Sequence, residues 1–235
     1  MSKISSSSVW FFLLSLLFAR TFIADTTAEQ TAIRALDEAE ARRESRLEGY
    51  SVTEHYTLQV SRFVKSAEMT VETVYQKGQG KSFTVVSRSG SAMLQSRVFD
   101  RLLREEGEMS RGEARRHTLV NSENYAIRLA GEETRTGRIC YVLELTPRTK
   151  SEHLLQGRAW IDKEDGSLIR IEGIPTANPS FLTGRPAIVR EYEKVGDFWL
   201  ARSSHAVSDS FLVGKTELSI DYRDYRILSD TPGGR

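Results

Sequence analysis

From Tyr50 to residue 226 the apolar residues of this chain keep returning at every second position, and that pattern leaves few folds open. A side-chain period of two marks a strand with one buried face and one wet face. In Tyr50-Ser51-Val52-Thr53-Glu54-His55-Tyr56-Thr57-Leu58-Gln59-Val60 the even positions are mostly apolar and the odd ones polar. Met69, Val71, Thr73 and Tyr75 repeat the alternation, and the turn Gly78-Gln79-Gly80-Lys81 leads into 82–86 as a hairpin. Further strands are expected near 117–121, 124–131, 138–146, 156–162, 167–173, 186–195, 198–208 and 211–226. Asp165-Gly166 is a strong hairpin signal between two of them. Only 174–186, with Pro175, Pro179 and Pro186, reads as a long irregular connection.

Two segments break the period. Residues 31–48 contain good helix formers and no Gly or Pro, with Ala32, Leu36, Ala39 and Leu47 close to one stripe and Gly49 as a stop. Its apolar face is narrow, so this helix should lie against something. At about 91–106, Leu94, Val98 and Leu102, with Phe99 and Leu103, recur at helical spacing. The stretch 107–116 is rich in Gly, Glu and Arg and is expected to be a loop. The total is nine to eleven antiparallel strands and two helices. The fold class is therefore α+β, mostly antiparallel β: a half-open curved β-barrel with two helices as a lid.

Composition narrows the class of function. The 33 Lys+Arg against 32 Asp+Glu give no basic excess, which argues against a nucleic-acid partner. The single cysteine, Cys140, excludes an internal disulfide and a cysteine-rich metal site. Near the start, Lys3 precedes the apolar run Val9 to Ala19, which Arg20 follows. That run is too short to span a bilayer and suits the core of a signal peptide, with Ala24 or Thr26-x-Ala28 as cleavage positions. The expected organisation is a signal peptide at 1–28, one domain at 29–230 and a tail at 231–235. Removing 1–28 takes away Lys3, Arg20 and Asp25 and leaves the two signs of charge equal.

No motif points to catalysis. Gly80-Lys81-Ser82 lacks the earlier glycine of a phosphate loop, since position 75 is Tyr. His55, His117, His153 and His205 are dispersed, Asp162-Lys163-Glu164-Asp165 lacks the later glutamate of a calcium loop, and no Gly-x-Ser-x-Gly elbow occurs. No enzyme activity, metal or cofactor is expected. Cys140 reads as a small hydrophobe on its strand. Arg111, Arg115, Arg116 and His117 form a local basic patch, either a solvated loop or a contact for an anionic head group. Trp160, Trp199, Phe83, Tyr56 and Tyr75 fit a packed core better than a ligand cavity, although the pattern itself allows both.

The run Gly157-Arg-Ala-Trp160-Ile161-Asp162-Lys-Glu-Asp165-Gly166-Ser-Leu168-Ile-Arg170-Ile-Glu172-Gly173 resembles a hairpin of bacterial outer-membrane lipoprotein-sorting proteins, the periplasmic lipoprotein carrier and its relatives. Cys140 to Pro147 is similar to their preceding strand, Glu191 to Leu200 to a later hairpin, and Thr216 to Tyr225 to their last strand. The resemblance covers about 30–228, mostly by element order. It implies a half-barrel with a helical lid over a hydrophobic cavity, in the periplasm, that binds or carries lipid or lipoprotein acyl chains. On that basis Val52, Tyr56, Leu58, Met69, Val71, Phe83, Val85, Leu94, Val98 and Leu102 are the expected cavity residues, in a monomer. The alternative is an envelope interaction or stress-sensor protein with a packed core that binds a protein partner. The family's barrel-closing arginine has no matched position here.

Overall fold

Ten strands form one antiparallel sheet in the order β3-β2-β1-β10-β9-β8-β7-β6-β5-β4. This computed structural model describes residues 9–62, 64–179, 184–210 and 214–228, with side chains from Thr27 onward. The start of the expected signal segment and the tail 231–235 lie outside the described residues. Helix α1 (Val9–Arg46) precedes β1 (Gly49–Val60), β2 (Lys65–Gln76) and β3 (Gly80–Gly90). A helical excursion follows: α2 (Ala92–Leu94), a π-helical turn (Gln95–Phe99), α3 (Asp100–Met109) and α4 (Gly112–Arg116). Then come β4 (Tyr125–Arg135), β5 (Arg138–Pro147), β6 (Leu155–Asp162), β7 (Leu168–Pro175), β8 (Ala187–Val195), β9 (Phe198–Ser210) and β10 (Gly214–Leu228).

The connectivity explains the lid. β1 pairs with β10, which joins two meanders and leaves β3 and β4 as the two edges. The chain must travel from one edge to the other between residues 90 and 125, and the helices lie on that crossing. Helix α1 and the α2–α3 segment each cover one half of the concave face. The antiparallel, half-open architecture is therefore as the sequence predicts.

Each half is closed by its own core. Under α2–α3, the inward residues Val52, Tyr56 and Leu58 of β1 and Met69 and Val71 of β2 pack with Leu94, Val98, Phe99 and Leu103. The Tyr56 and Phe99 rings meet edge to face at 5.8 Å between centroids. Gln95 pins the start of the segment by donating its amide to the Glu68 and Ser89 carbonyls of β2 and β3, at 2.8 and 2.7 Å. Under α1, Ala32 and Leu36 are wholly buried against Tyr125, Leu143, Ala159, Ile161 and Leu168. At about 1.5–3 kcal/mol for each large apolar side chain, such burial is what holds each helix down. Cys140 is buried with Val142, Trp160 and Ile169 in a third cluster, as a hydrophobe.

Two local expectations fail. Residues 107–116 are not a loop: α3 runs to Met109 and α4 adds a further turn. Gly107 is buried within α3 beside the Phe83 ring, where a Cβ would make an ordinary contact at 3.4 Å. Residues 117–121 are not a strand. Asn124 donates its amide to the Arg116 and Leu119 carbonyls at 2.7 and 2.9 Å, and Asp37 of α1 accepts from the Ser122 amide at 2.9 Å. Side-chain bonds of this kind satisfy the backbone locally and outcompete a ladder.

Candidate functional site

Between the two cores the concave face opens into a cavity of about 420 Å³. The sheet contributes Ile171, Ile188, Leu200, Ile220 and several tyrosines, α3 contributes Leu102 and Met109, α1 contributes Ala39, and Leu47 follows just after α1. Its size is that of a small-molecule pocket. The wall is mixed, with charged residues such as Arg42, Arg46, Glu152 and Asp197 beside the apolar ones, and two polar clusters stand out.

The first cluster holds the lid to itself. Glu44 of α1 accepts from Arg115 Nε at 2.9 Å and Nη2 at 2.6 Å, a two-pronged contact with α4. The Arg115 guanidinium also lies 4.7 Å over the Tyr75 ring. Arg43 pairs with Glu40 at 2.8 Å and approaches Glu44 at 3.6 Å. Burial pushes the Glu44 carboxyl up, but the hydrogen bonds and charge of Arg115, with Arg43, outweigh it and hold the carboxyl below its ordinary range. Here cations and carboxylates are matched.

The second cluster lies where β1, β3 and α3 converge. Glu54 is fully buried at an inward position of β1 and accepts a short hydrogen bond from the Tyr56 hydroxyl. Lys81 of β3 pairs closely with Glu106 of α3 and lies 3.7 Å from Glu54. Burial pushes the Glu54 carboxyl above its ordinary range, with Glu106 adding to the effect and Lys81 opposing it. Burial alone would lower Lys81, yet the Glu106 charge carries it well above its usual value, and Lys81 in turn depresses Glu106. Lys81 and Glu106 therefore form the charged pair and Glu54 holds its proton to higher pH.

A single cross-strand row runs over the concave face through this site. Residues directly opposite in an antiparallel ladder share a face. The pairings Met69–Tyr56, Tyr56–Ile220, Ile220–Ser204, Ser204–Arg190, Arg190–Ile171, Ile171–Ala159, Ala159–Leu143 and Leu143–Leu129 carry the row from β2 to β4. Arg190 is its one charged member. Ile188, Arg190 and Tyr192 alternate inward on β8 and all line the cavity. Arg190 is exposed to the cavity yet crowded by protein, which would lower it; the Tyr192 and Tyr222 side chains and the Glu106 charge raise it above its ordinary value.

The expected cavity residues fall elsewhere. Val52, Tyr56, Leu58, Met69, Val71, Leu94 and Val98 are buried in the packed core under α2–α3, and Phe83 is half-buried against it. Val85 is 38% exposed on β3, an edge strand with a neighbour on one side only. Leu102 alone of the ten lines the cavity. The missed residues belong to β7–β10 and α1, and the signal was the charged residue at an inward position of Ile188-x-Arg190-x-Tyr192. The basic patch is largely internally paired: Arg115 with Glu44, Arg116 with Glu113 at 3.0 Å, and Arg111 Nε donating to the Gln79 carbonyl at 3.0 Å. Among the described residues no group of three metal-ligating side chains converges, and no helix is long and apolar enough to cross a membrane.

A family model described as an uncharacterized protein matches residues 116–231. No curated protein matches the chain. Among solved structures, it is similar to a domain from Vibrio parahaemolyticus assigned to outer membrane lipoprotein sorting. Identity is 14%, covering 84% of this chain and 93% of that one, with a TM-score of 0.45. It is also similar to a DUF1329 family protein from Desulfovibrio piger, at 14% identity over 89% and 95% of the two chains with a TM-score of 0.41. A LolA superfamily protein from Nitrosomonas europaea shows 13% identity over 86% and 94%, with a TM-score of 0.40.

Proposed function

We propose that this chain is a non-catalytic binder or carrier of acyl chains in the bacterial envelope, and that the bound chain occupies the cavity between α1, α3 and the concave face. The observation that carries the reading is the cavity itself: about 420 Å³ bounded by Ile171, Ile188, Leu200, Ile220 and Leu102, between two cores that are otherwise filled. An acyl chain leaving water for such a wall gains about 0.8 kcal/mol for each buried methylene. The wall above it consists of helices joined across the mouth by a polar clasp, Glu44 with Arg115, rather than by a continuous apolar seam. Polar, partly hydrated contacts open more readily than packed core, so a ligand can enter without unfolding the sheet. The envelope location follows from the expected export signal and from the resemblance of the strings at 140–147 and 157–173 to lipoprotein-sorting proteins.

The test is mass spectrometry of an organic extract of purified protein, together with binding of an uncharged apolar fluorophore and its displacement by oleate. Co-purifying acyl lipid and saturable, displaceable fluorescence are expected. A clean extract with no fluorophore binding would sink the carrier reading and leave a packed interaction protein.

A further inference from the structure

Arg190 is out of place for a cavity whose only task is to shelter hydrocarbon. It stands near the middle of the concave row, between Ile171 on β7 and Ser204 on β9, and its side chain is exposed within the cavity it lines. The neighbouring cations are matched: Lys81 by Glu106, Arg115 by Glu44, Arg43 by Glu40. Among the described residues no salt bridge of Arg190 is formed, and Tyr192, two residues on along β8, lines the cavity beside it. Glu106, whose charge acts on it, is already bound to Lys81. Glu54 is engaged elsewhere, accepting from the Tyr56 hydroxyl and lying 3.7 Å from Lys81. Arg190 is thus a cavity-lining cation with no carboxylate in ion-pair contact.

A guanidinium without a carboxylate partner presents a planar fork suited to carboxylate or phosphate oxygens. Placed among Ile171, Ile188 and Ile220, it can take an anion only if the rest of that molecule fits the same apolar surroundings. We propose that Arg190, assisted by Tyr192, is the head-group site for an anionic single-chain amphiphile, whose carboxylate or phosphate pairs with the guanidinium while its chain fills the cavity. This rests on the acyl-binding reading and adds to it the charge and position of the head group. The basic patch at 111–117, whose arginines are engaged within the protein, is not where that anion docks.

The experiment is competition for an uncharged fluorophore bound to delipidated full-length protein. The competitors are oleate, oleoyl lysophosphatidate, oleyl alcohol, acetate and inorganic phosphate. At least one anionic amphiphile should bind about tenfold or more tighter than oleyl alcohol, the scale of one charge-assisted hydrogen bond. The tighter of the two identifies carboxylate or phosphate. Acetate and phosphate alone should displace nothing. Arg190→Gln should bring the anionic amphiphile to the level of the alcohol while leaving the alcohol unchanged, and Arg190→Lys should restore part of the preference.

Equal affinity of wild type for oleate, lysophosphatidate and oleyl alcohol overturns the head-group site alone, as does an Arg190→Gln protein that keeps the preference. Competition by acetate or phosphate as strong as that of the amphiphiles also overturns it. Failure of every competitor and of the fluorophore to bind overturns the acyl-binding reading with it. The wild-type comparison decides the matter even if Arg190→Gln does not fold.

Discussion

Glu44 on α1 and Arg115 on α4 meet through two parallel hydrogen bonds, 2.9 and 2.6 Å long, and are the direct polar contact between the two halves of the lid. The arginine also covers Tyr75, so its loss removes a charge pair and a ring contact together. Arg115→Ala is expected to cost about 1–2 kcal/mol in urea unfolding, discounted for partial exposure of both side chains. Release of a bound fluorophore in stopped flow should accelerate several-fold, because the mouth opens more often. Unchanged release kinetics in a destabilised Arg115→Ala protein would show that the clasp supports the fold without gating the cavity.

The same clasp has a sign in pH. Glu44 is held below its ordinary value of 4.5, so its contribution is complete above that pH and is lost as pH falls through the lower folded value. Glu54 has the opposite sign. Its folded value is raised above 4.5, so stability is complete below 4.5 and declines as pH rises through the folded value. Glu54→Gln keeps an acceptor for the Tyr56 hydroxyl and removes the charge. It should match or exceed wild type by about 1 kcal/mol at pH 8 and flatten the alkaline decline. Urea unfolding at pH 5, 7 and 8 measures both arms. A Glu54→Gln protein weaker than wild type at pH 8 would show that the carboxylate is needed as a partner of Lys81.

The residues expected from sequence to line the cavity should behave as core. Met69→Ala and Val98→Ala remove side chains that are 1% and 7% exposed under α2–α3, at an expected cost of about 1–4 kcal/mol. Val85→Ala, on the exposed edge strand, should stay within about 0.5 kcal/mol of wild type. Oleate affinity of the folded fraction should be unchanged in all three. A selective loss of affinity in Met69→Ala would place the ligand under α3.

Alternation along the chain located the strands, because a half-buried sheet writes its geometry into every second residue. It also marked Cys140 as a small hydrophobe on its strand, while helical spacing gave Ala32 and Leu36 a face to bury, and all three are buried. It did not separate packed core from cavity, since Val52 and Ile188 follow the same rule and differ only in whether a helix sits above them. That depends on where the crossing from β3 to β4 lays its helices, a tertiary fact. The segment 117–121 misled for a related reason: its apolar residues Leu119 and Val120 line the mouth, while Asn124 takes up the backbone groups a strand would have used. Arg190 was legible as an inward charge on β8 once the phase of Ile188 and Tyr192 was taken seriously.

The seat of α1 depends on one glycine. Gly166, in the turn between β6 and β7, has φ of +74°, and a Cβ there would lie 2.2 Å from the Ala35 carbonyl oxygen of α1. The next residues reinforce the contact: Arg42 donates to the Asp165 carbonyl at 2.5 Å, and Trp199 Nε1 donates to the Asp165 carboxylate at 3.3 Å. Gly166→Ala adds a left-handed backbone penalty of about 1–2 kcal/mol and forces helix backbone away from the turn. The helix has to shift, since the obstructing atom is main chain and has no rotamer to change. Thermal unfolding should fall by more than Arg115→Ala alone produces. Amide exchange should quicken in 32–40 and not in 94–103, because the core under α2–α3 does not touch the turn. Equal quickening in both segments would mean that the two halves of the lid unfold as one unit, and the separate-cores picture would have to be abandoned.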